Sequence, residues 1–513
     1  MHRSLFLIVV SCLFFFACKT DSTLNLKGME LLESLDPESL DLDGKQLADL
    51  YCSACHLKPD PSLLDKKTWQ NSVLPDMRRR LGLINFEDFG LAVGEDSEVP
   101  EGVYSKKSLI VQRNWDKLQE YYMSLAPDSL NSIYFSDSVL LAAPVFEPVK
   151  PELGKFRPNL TTMVKWDQAK KQLFIGDRHG QLFRFFGERF QDFDSIAISS
   201  PVSQMEVYED GSFDLLKMGV MDPSDFAVGK WTKYSSFFDS APTDGLTGLI
   251  RPVHINTVEL EKYKGLSHIV SQFGNHFGKL SIYSYQGNDT IETILNTRPG
   301  ARRTIVSDVN RDGLPDIVAL MTQAEEGVYA YINQGNGKFL EEVWLRFNPL
   351  FGGSDFALAD MNADGFDDLV IVNGDNADLS PILKPYHGVR IFQNNGKNSF
   401  NESYFYPFHG ASGLVVDDFN LDGKADIAAI AYFPIIHRNN RQNFLAFLQN
   451  EQGDFDVSTV AETASYSIMT IEKGEMYNKG RTDLILGCFD FKSRYVQPFQ
   501  AWSPFIILKN NSK

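Results

Sequence analysis

"DVNRDGLPDIVAL" (308–320), "DMNADGFDDLVIV" (360–372) and "DFNLDGKADIAAI" (418–430) are three copies of one pattern, D-x-N-x-D-G-x-x-D followed by an apolar run. A degenerate fourth copy, "EMYNKGRTDLILG", starts at Glu475, and a weaker fifth, "LEKYKGLSHIVSQFG", covers 260–274. A second signature, strand, Gly-polar turn, Gly, strand, reads "LFIGDRHGQLFRF" (173–185) and "IVSQFGNHFGKLSIY" (269–283). Short strands repeating at 52 to 58 residues predict the blades of an all-β propeller, because one such unit cannot bury both of its faces alone. The residues from 150 to 513 divide into about seven units, with six or eight as alternatives, since 200–250 fits the pattern least well.

The acidic loops carry their own chemistry. Calcium takes six to eight hard oxygens at flexible angles. Positions 1, 3, 5 and 9 supply side-chain oxygens, and the glycine at position 6 lets the chain turn around an ion. The predicted ligand sets are Asp308, Asn310, Asp312, Asp316; Asp360, Asn362, Asp364, Asp368; and Asp418, Asn420, Asp422, Asp426. An EF-hand would need a Glu at position 12 and flanking helices. Here position 12 is Ala319, Ile371 and Ala429, each inside a strand-like run. In the copy at 475, Tyr477 and Lys479 stand at ligand positions, so that turn is expected to lack metal.

Upstream, "DLYCSACHLKPD" (49–60) holds a different centre. C-x-x-C-H is the attachment signature of c-type haem. Two thiols at this spacing on one helical turn reach the two vinyl groups, and the histidine lies beneath the iron. Cys52, Cys55 and His56 are therefore the expected haem residues, with Met77 in "SVLPDMRRRLG" as distal ligand and Met123 as its rival. A zinc ribbon would need a second cysteine pair, and of the five cysteines Cys12, Cys18 and Cys488 form none. The stretch before the motif, "DGKQLADLYCSACH", and "NWDKLQEYYMSLAP" (114–127) are amphipathic, like the crossing first and last helices of small cytochromes c.

The chain opens with His2 and Arg3, a short apolar run and Phe-Phe-Ala-Cys18, which has the layout of a secretory leader and resembles a bacterial lipobox. The expectation is a leader over 1–17, lipidation at Cys18, and an exported, membrane-anchored lipoprotein on the periplasmic or cell-surface side. The domain reading continues with a lipidated tether over 18–42, a small all-α cytochrome c-like domain over 43–130, a proline-bearing linker over 131–158, and the propeller over 159–513. The net charge of −18 argues against nucleic acid as a partner.

Together the acidic repeats resemble the FG-GAP or VCBS repeats of integrin-type propellers. With "RPGARRTIVSDVNRDGLPDIVAL", "NGDNADLSPILKPYHGVRIF" and "CSACHLKPDPSLLDKKTW", the chain resembles bacterial secreted proteins that join a cytochrome c domain to such a propeller. That resemblance implies export and structural calcium, and no settled reaction. The turns after the first strand of each signature should gather on one face of a propeller. They offer a candidate ligand face of Asp177, His179, Arg251, His254, Asn275, His276, Asp375, Lys384, Tyr386 and His387. The functional expectation is a haem c electron-transfer protein whose calcium-stabilised propeller binds a ligand, a small-molecule substrate or a redox partner protein. The alternatives are an oxidoreductase whose propeller face feeds electrons to the haem, and an adhesin-like binding protein.

Overall fold

The apolar run after each acidic loop becomes a strand buried along its whole length: Asp316–Met321, Asp368–Asn373 and Asp426–Ala431. Strands of this composition are covered on both faces, here by the neighbouring blades. Outer strands such as Asp289–Asn296 alternate between exposed and covered residues, as an edge facing water should. The structure, a computed structural model, describes residues 24–84, 100–131, 139, 145–154, 157–260, 265–287, 289–375, 382–433, 442–490 and 501–513. The leader and Cys18 lie outside these residues.

Seven four-stranded antiparallel sheets form a seven-bladed propeller. Blades 1 to 6 span 161–197, 202–249, 252–296, 301–346, 353–407 and 411–458, each with its strands in chain order from the axis outward. Blade 7 takes 468–510 and then β1 (Phe146–Val149), which pairs with Phe505–Asn510 in register from Phe146 opposite Asn510 to Val149 opposite Ile507. β1 falls inside the stretch expected to be linker. Four residues with a proline, Pro148, give no sequence signal for a strand, yet an outermost strand tolerates proline because one side of its backbone is unpaired.

The innermost strands are only half-buried along the axis, and side chains from them latch each blade to the next. Thr162 Oγ1 donates to the Val202 carbonyl (2.8 Å). The Gln204 amide exchanges bonds with both backbone groups of Ile255 (2.8 and 2.9 Å), and Asn256 Nδ2 donates to the Thr304 carbonyl (2.9 Å). Arg303 Nη1 meets both oxygens of Asp355 (2.7 and 3.0 Å), and Asp355 also accepts from Leu414 N–H (3.2 Å). Lys473 reaches Asp417 (2.9 Å), and Lys165 pairs with Glu472 (3.6 Å), which closes the ring. All seven junctions thus carry a polar link in addition to apolar packing.

The N-terminal part is helical among its described residues: α1 (Leu24–Ser34), α2 (Gly44–Tyr51), α3 (Lys66–Thr68), a π-helical turn (Trp69–Val73), α4 (Leu74–Arg80) and α5 (Gln112–Leu125). Asp43 and Gln46 form a reciprocal capping box at the start of α2. α2 and α5 meet at Gly44, where a Cβ would stand 2.2 Å from the Lys117 carbonyl oxygen, so only glycine permits this approach. Leu47, Tyr51, Trp69, Trp115, Leu118 and Tyr122 build the core beneath.

Candidate functional site

Chain direction sorts the loops. In every blade the connection from first to second strand lies on one face of the propeller, and the connection from second to third lies on the other. The acidic loops 308–315, 360–367 and 418–425 are of the first kind. The turns of the expected ligand face at 177–180 and 273–278, and the blade 5 residues Asp375, Lys384, Tyr386 and His387, are of the second. The propeller therefore has an acidic-loop face and an opposite face, and the two sets of predicted site residues lie on opposite sides.

The acidic loops share one conformation. Asp308 accepts from the N–H groups of Asp312 (3.0 Å) and Gly313 (2.9 Å), and Asn310 Oδ1 also accepts from Asp312 (3.0 Å). Asp360 with Asn362, and Asp418 with Asn420, repeat this arrangement. The fourth residue of each loop is left-handed although it is not glycine: Arg311 (φ 61°), Ala363 (φ 59°) and Leu421 (φ 64°). Such backbone has an energetic cost and persists where the surroundings dictate it. The ninth-position aspartates are buried clamps. Asp316 accepts from Val309 N–H (3.1 Å) and Asn333 N–H (2.7 Å), tying the loop to the third strand; Asp368 and Asp426 do the same. Burial, with the neighbouring loop carboxylates, raises the pKa of all three, that of Asp426 to about 6. Among the described residues, no three His, Cys, Asp or Glu side chains are gathered in the arrangement of a metal site. The donor set fits calcium by type, being all hard oxygens around a tight turn, although the carboxylates here turn toward backbone N–H groups.

On the opposite face the expected ligand residues fall into three separate places. Asp177 Oδ1 accepts from Gln181 N–H (2.9 Å), and His179 is exposed beside it in blade 1. The turn with Asn275 and His276 is occupied by its own protein. Asp225 from blade 2 accepts from the N–H groups of Asn275 (2.9 Å), His276 (2.9 Å) and Phe277 (2.8 Å). Arg251 donates to the carbonyls of Met221 (3.0 Å) and Gly274 (2.9 Å) and lies over Phe273. His254 is on an innermost strand, its Nδ1 3.4 Å from Thr304 N. Burial, then Arg303 and Arg302, push its pKa down to about 3. Asp375, Lys384, Tyr386 and His387 sit in blade 5, with Lys384 and His387 buried. Sequence reasoning missed Asp225, because it lies in another blade, remote in the chain from the turn it serves.

The helical part rests on this second face. Leu350, between blades 4 and 5, joins its core, Ile382 packs against that core, and the Tyr386 hydroxyl donates to the Leu63 carbonyl (3.3 Å). Cys52 and Cys55 are free thiols in the turn that ends α2. Burial pushes the Cys52 thiol up to about 11 and raises Cys55 as well. Cys55 Sγ is 3.4 Å from Met29 Sδ, and the Tyr122 hydroxyl is 3.9 Å from Cys52 Sγ while donating to the Pro59 carbonyl (2.9 Å). His56 Nδ1 is 2.9 Å from the Leu57 carbonyl. A carbonyl only accepts, so Nδ1 carries the proton. Burial lowers the pKa of His56, which keeps the ring neutral and leaves Nε2 with its lone pair, the form a metal-ligating histidine needs. Met77 is half-buried against the helical core, and Arg80 bears electrostatically on both Cys55 and His56. Free paired thiols beside such an imidazole fit a covalently held haem.

Fold and repeats define the class: a seven-bladed β-propeller containing an FG-GAP-like repeat. The FG-GAP-like repeat family matches residues 308–371, which contain the first two acidic loops, the outer three strands of blade 4 and the first strand of blade 5. No curated protein is detectably similar in sequence. Among solved structures, a chain of a Saccharomyces cerevisiae Dbp5 variant assembly with Nup159, Gle1, IP6 and ADP is similar over 74% of this chain and 96% of its own (9% identity, TM-score 0.41). The BBS1N chain assembly with ARL6DN covers 71% and 96% (10% identity, TM-score 0.43), and a luciferin-regenerating enzyme 61% and 96% (9% identity, TM-score 0.36).

Proposed function

We propose that the protein is an exported c-type haem electron-transfer protein whose propeller binds a ligand or partner. The observation that carries this reading is the state of C-x-x-C-H: two unpaired thiols one turn apart, and His56 held by the Leu57 carbonyl with Nε2 left as acceptor. Cys52 and Cys55 would hold the porphyrin through thioethers, His56 Nε2 would bind iron, and Met77 is the proposed distal ligand. When bound, a haem supplies one-electron storage. The chain's own residues do the rest: Leu57 orients His56, Tyr122 lies beside Cys52 with Trp69 against its ring, and the blade 5 segment around Tyr386 seats this centre on the propeller. Calcium in the three acidic loops would stiffen the opposite face, and lipidation at Cys18 would anchor the chain to a membrane.

The test is expression with a haem c maturation system, followed by the reduced pyridine haemochrome spectrum and haem staining after denaturing electrophoresis. Covalent haem in the wild type, lost in Cys52→Ser and Cys55→Ser, is expected. A folded wild type without covalent haem refutes the reading. One observation favours the oxidoreductase as a second reading: the buried blade 5 residues and the cysteine turn share one face, so a substrate held there would lie beside the electron acceptor. Haem reduction on adding candidate sugars or alcohols separates it from pure electron transfer.

A further inference from the structure

The three acidic loops repeat their scaffold and differ elsewhere. Positions 1, 3, 5, 6 and 9 are shared, whereas positions 2, 4, 7 and 8 change from copy to copy. Position 2 decides how tightly one blade meets the next. Met361 (4% exposed) joins the core between blades 5 and 6, and Phe419 (0%) joins that between blades 6 and 7. Between blades 4 and 5 the same place holds Val309, which is smaller and only half-buried. There the acidic-loop face carries a cleft of about 80 Å³, lined by residues of both loops, by Trp344 and Leu358, and by Asn394 and Asn398. A water molecule needs about 10–15 Å³ of such space, so the cleft has room for a short organic group.

The variable positions also set its chemistry. Arg311, position 4 of the blade 4 loop, reaches across to the blade 5 loop, donates to the Gly365 carbonyl and lies over the Phe366 ring (4.3 Å). Phe366 and Asp367 are positions 7 and 8 of that second loop. At the junction of blades 5 and 6 these places hold Ala363, Lys424 and Ala425, which supply neither ring nor carboxylate, and Lys424 turns to the Asn450 carbonyl (2.9 Å). The donors around the cleft are spent within the protein. Asn394 donates to the Asp367 carbonyl (3.1 Å), Asn398 to the Val309 carbonyl (3.4 Å) and Trp344 to Glu342 (3.4 Å). The Asp367 carboxylate, by contrast, has no hydrogen bond or ion pair among the described residues; Asp360 and Arg311 are its electrostatic neighbours. Asp308, Asp360 and Asp367 thus set three negative charges against one guanidinium, which is already laid on a ring. An anion is repelled there, and a sugar meets acceptors without donors. A bare metal ion has no use for walls of Val309, Leu358 and Trp344. An ammonium on a short apolar stem matches each feature: it brings charge and N–H donors to Asp367, and a stem that the apolar walls and the indole cover.

We infer that the cleft between blades 4 and 5 is a binding site for a primary ammonium on an alkyl stem, as carried by a small free amine or by a lysine side chain of a partner protein. The site lies on the face opposite the helical part. It rests on the reading of the propeller as a binder of a ligand or partner, and not on haem.

The test uses the full chain in millimolar calcium, so that an amine competes for no metal loop, with n-butylamine and acetyl-lysine methylamide as separate probes in calorimetric titration. Saturable binding of at least one is expected, butylamine alone marking a site for free amines and the lysine derivative a site that admits a protein side chain. Butanol, of similar shape without the charge, should not bind. Asp367→Asn removes the carboxylate, and Val309→Met fills the cleft as Met361 does at the next junction. Each should weaken binding at least tenfold while melting within a few degrees of wild type. If one variant fails to fold, the other still decides. Binding of neither probe, equal binding in wild type and both variants, or butanol binding as tightly as butylamine overturns the proposal. Repeating the titration with Cys52→Ser/Cys55→Ser keeps an amine's affinity for haem iron out of the result. Amine binding retained there shows that this site stands by itself, and covalent haem without amine binding shows that only this inference fails.

Discussion

Asp483 offers the sharpest test of what the acidic repeats do. It occupies the ninth position of the degenerate copy, where Tyr477 and Lys479 replace loop donors, yet it keeps the clamp. It is fully buried; Oδ1 accepts from Asn510 N–H (2.7 Å), and Oδ2 from Met476 N–H (2.8 Å) and Tyr477 N–H (3.0 Å). Asp483→Ala strands three donors, of which those of Met476 and Asn510 lie on buried residues. At about 1–3 kcal/mol for each buried donor, the loss is about 4 kcal/mol. An unfolding entropy of ~2 cal/mol/K per residue over roughly 360 residues gives ~0.8 kcal/mol/K, so the melting temperature should fall by about 5 °C. Asp483→Asn keeps one acceptor oxygen and should lose about half as much. The assay is a pair of melts, in millimolar calcium and in chelator. The loss should be the same in both, since Tyr477 and Lys479 leave this loop short of oxygen donors, whereas Asp360→Asn should cost stability in calcium and little in chelator. A shift of Asp483→Ala below about 1 °C, or one seen only with calcium, would refute the clamp.

Removing calcium from the wild type should lower the melting temperature by about 10 °C, from three sites each contributing ~2.7 kcal/mol at a hundredfold excess over Kd; an unchanged melt removes the metal from all three loops. His254 gives a pH dependence. Its folded pKa is pushed down to about 3, so its contribution is fully present above the ordinary value near 6.5 and is lost as pH falls toward 3. Between pH 6.5 and 5 that amounts to about 2 kcal/mol, which denaturant titrations should show in the wild type and not in His254→Gln. Gly44→Leu should separate α2 from α5 and be read as a red-shifted tryptophan emission from the helical part, with the propeller's melting transition unmoved; an unaltered emission would mean that the close crossing is not needed.

The propeller was legible because a loop whose Asp and Asn side chains accept from its own backbone N–H groups fixes its own spacing, and because strands covered on both faces become uninterrupted apolar runs. Blade 2 was not, since its loop at 208–212 is a plain turn and its strand Phe213–Lys217 carries Asp214 within it. β1 was hidden because four edge residues with a proline look like linker in isolation. The turns of the candidate ligand face were visible as Gly-polar signatures, but not their internal wiring. The N–H groups of 275–277 look available in the sequence and are taken by Asp225, fifty residues earlier. His387 was legible as a polar residue in a long insertion, whereas its burial beside Gly352, on the connection from blade 4 to blade 5, follows from no local pattern.

The closure of blade 7 bears on how the chain comes to be folded at all. Its first strand and last residues meet across 364 positions, as the Asn511 to Glu147 bond also shows (2.7 Å). A chain emerging N-terminus first carries β1 into the open long before its partner exists. Until Phe505–Asn510 follow, the nascent ring has two raw edges at the last and first blades, able to pair with a neighbour's instead of with each other. Phe505–Asn510 therefore acts as the fastener of the whole assembly, and deleting this strand should yield aggregates and chain-to-chain swaps rather than a six-bladed remnant.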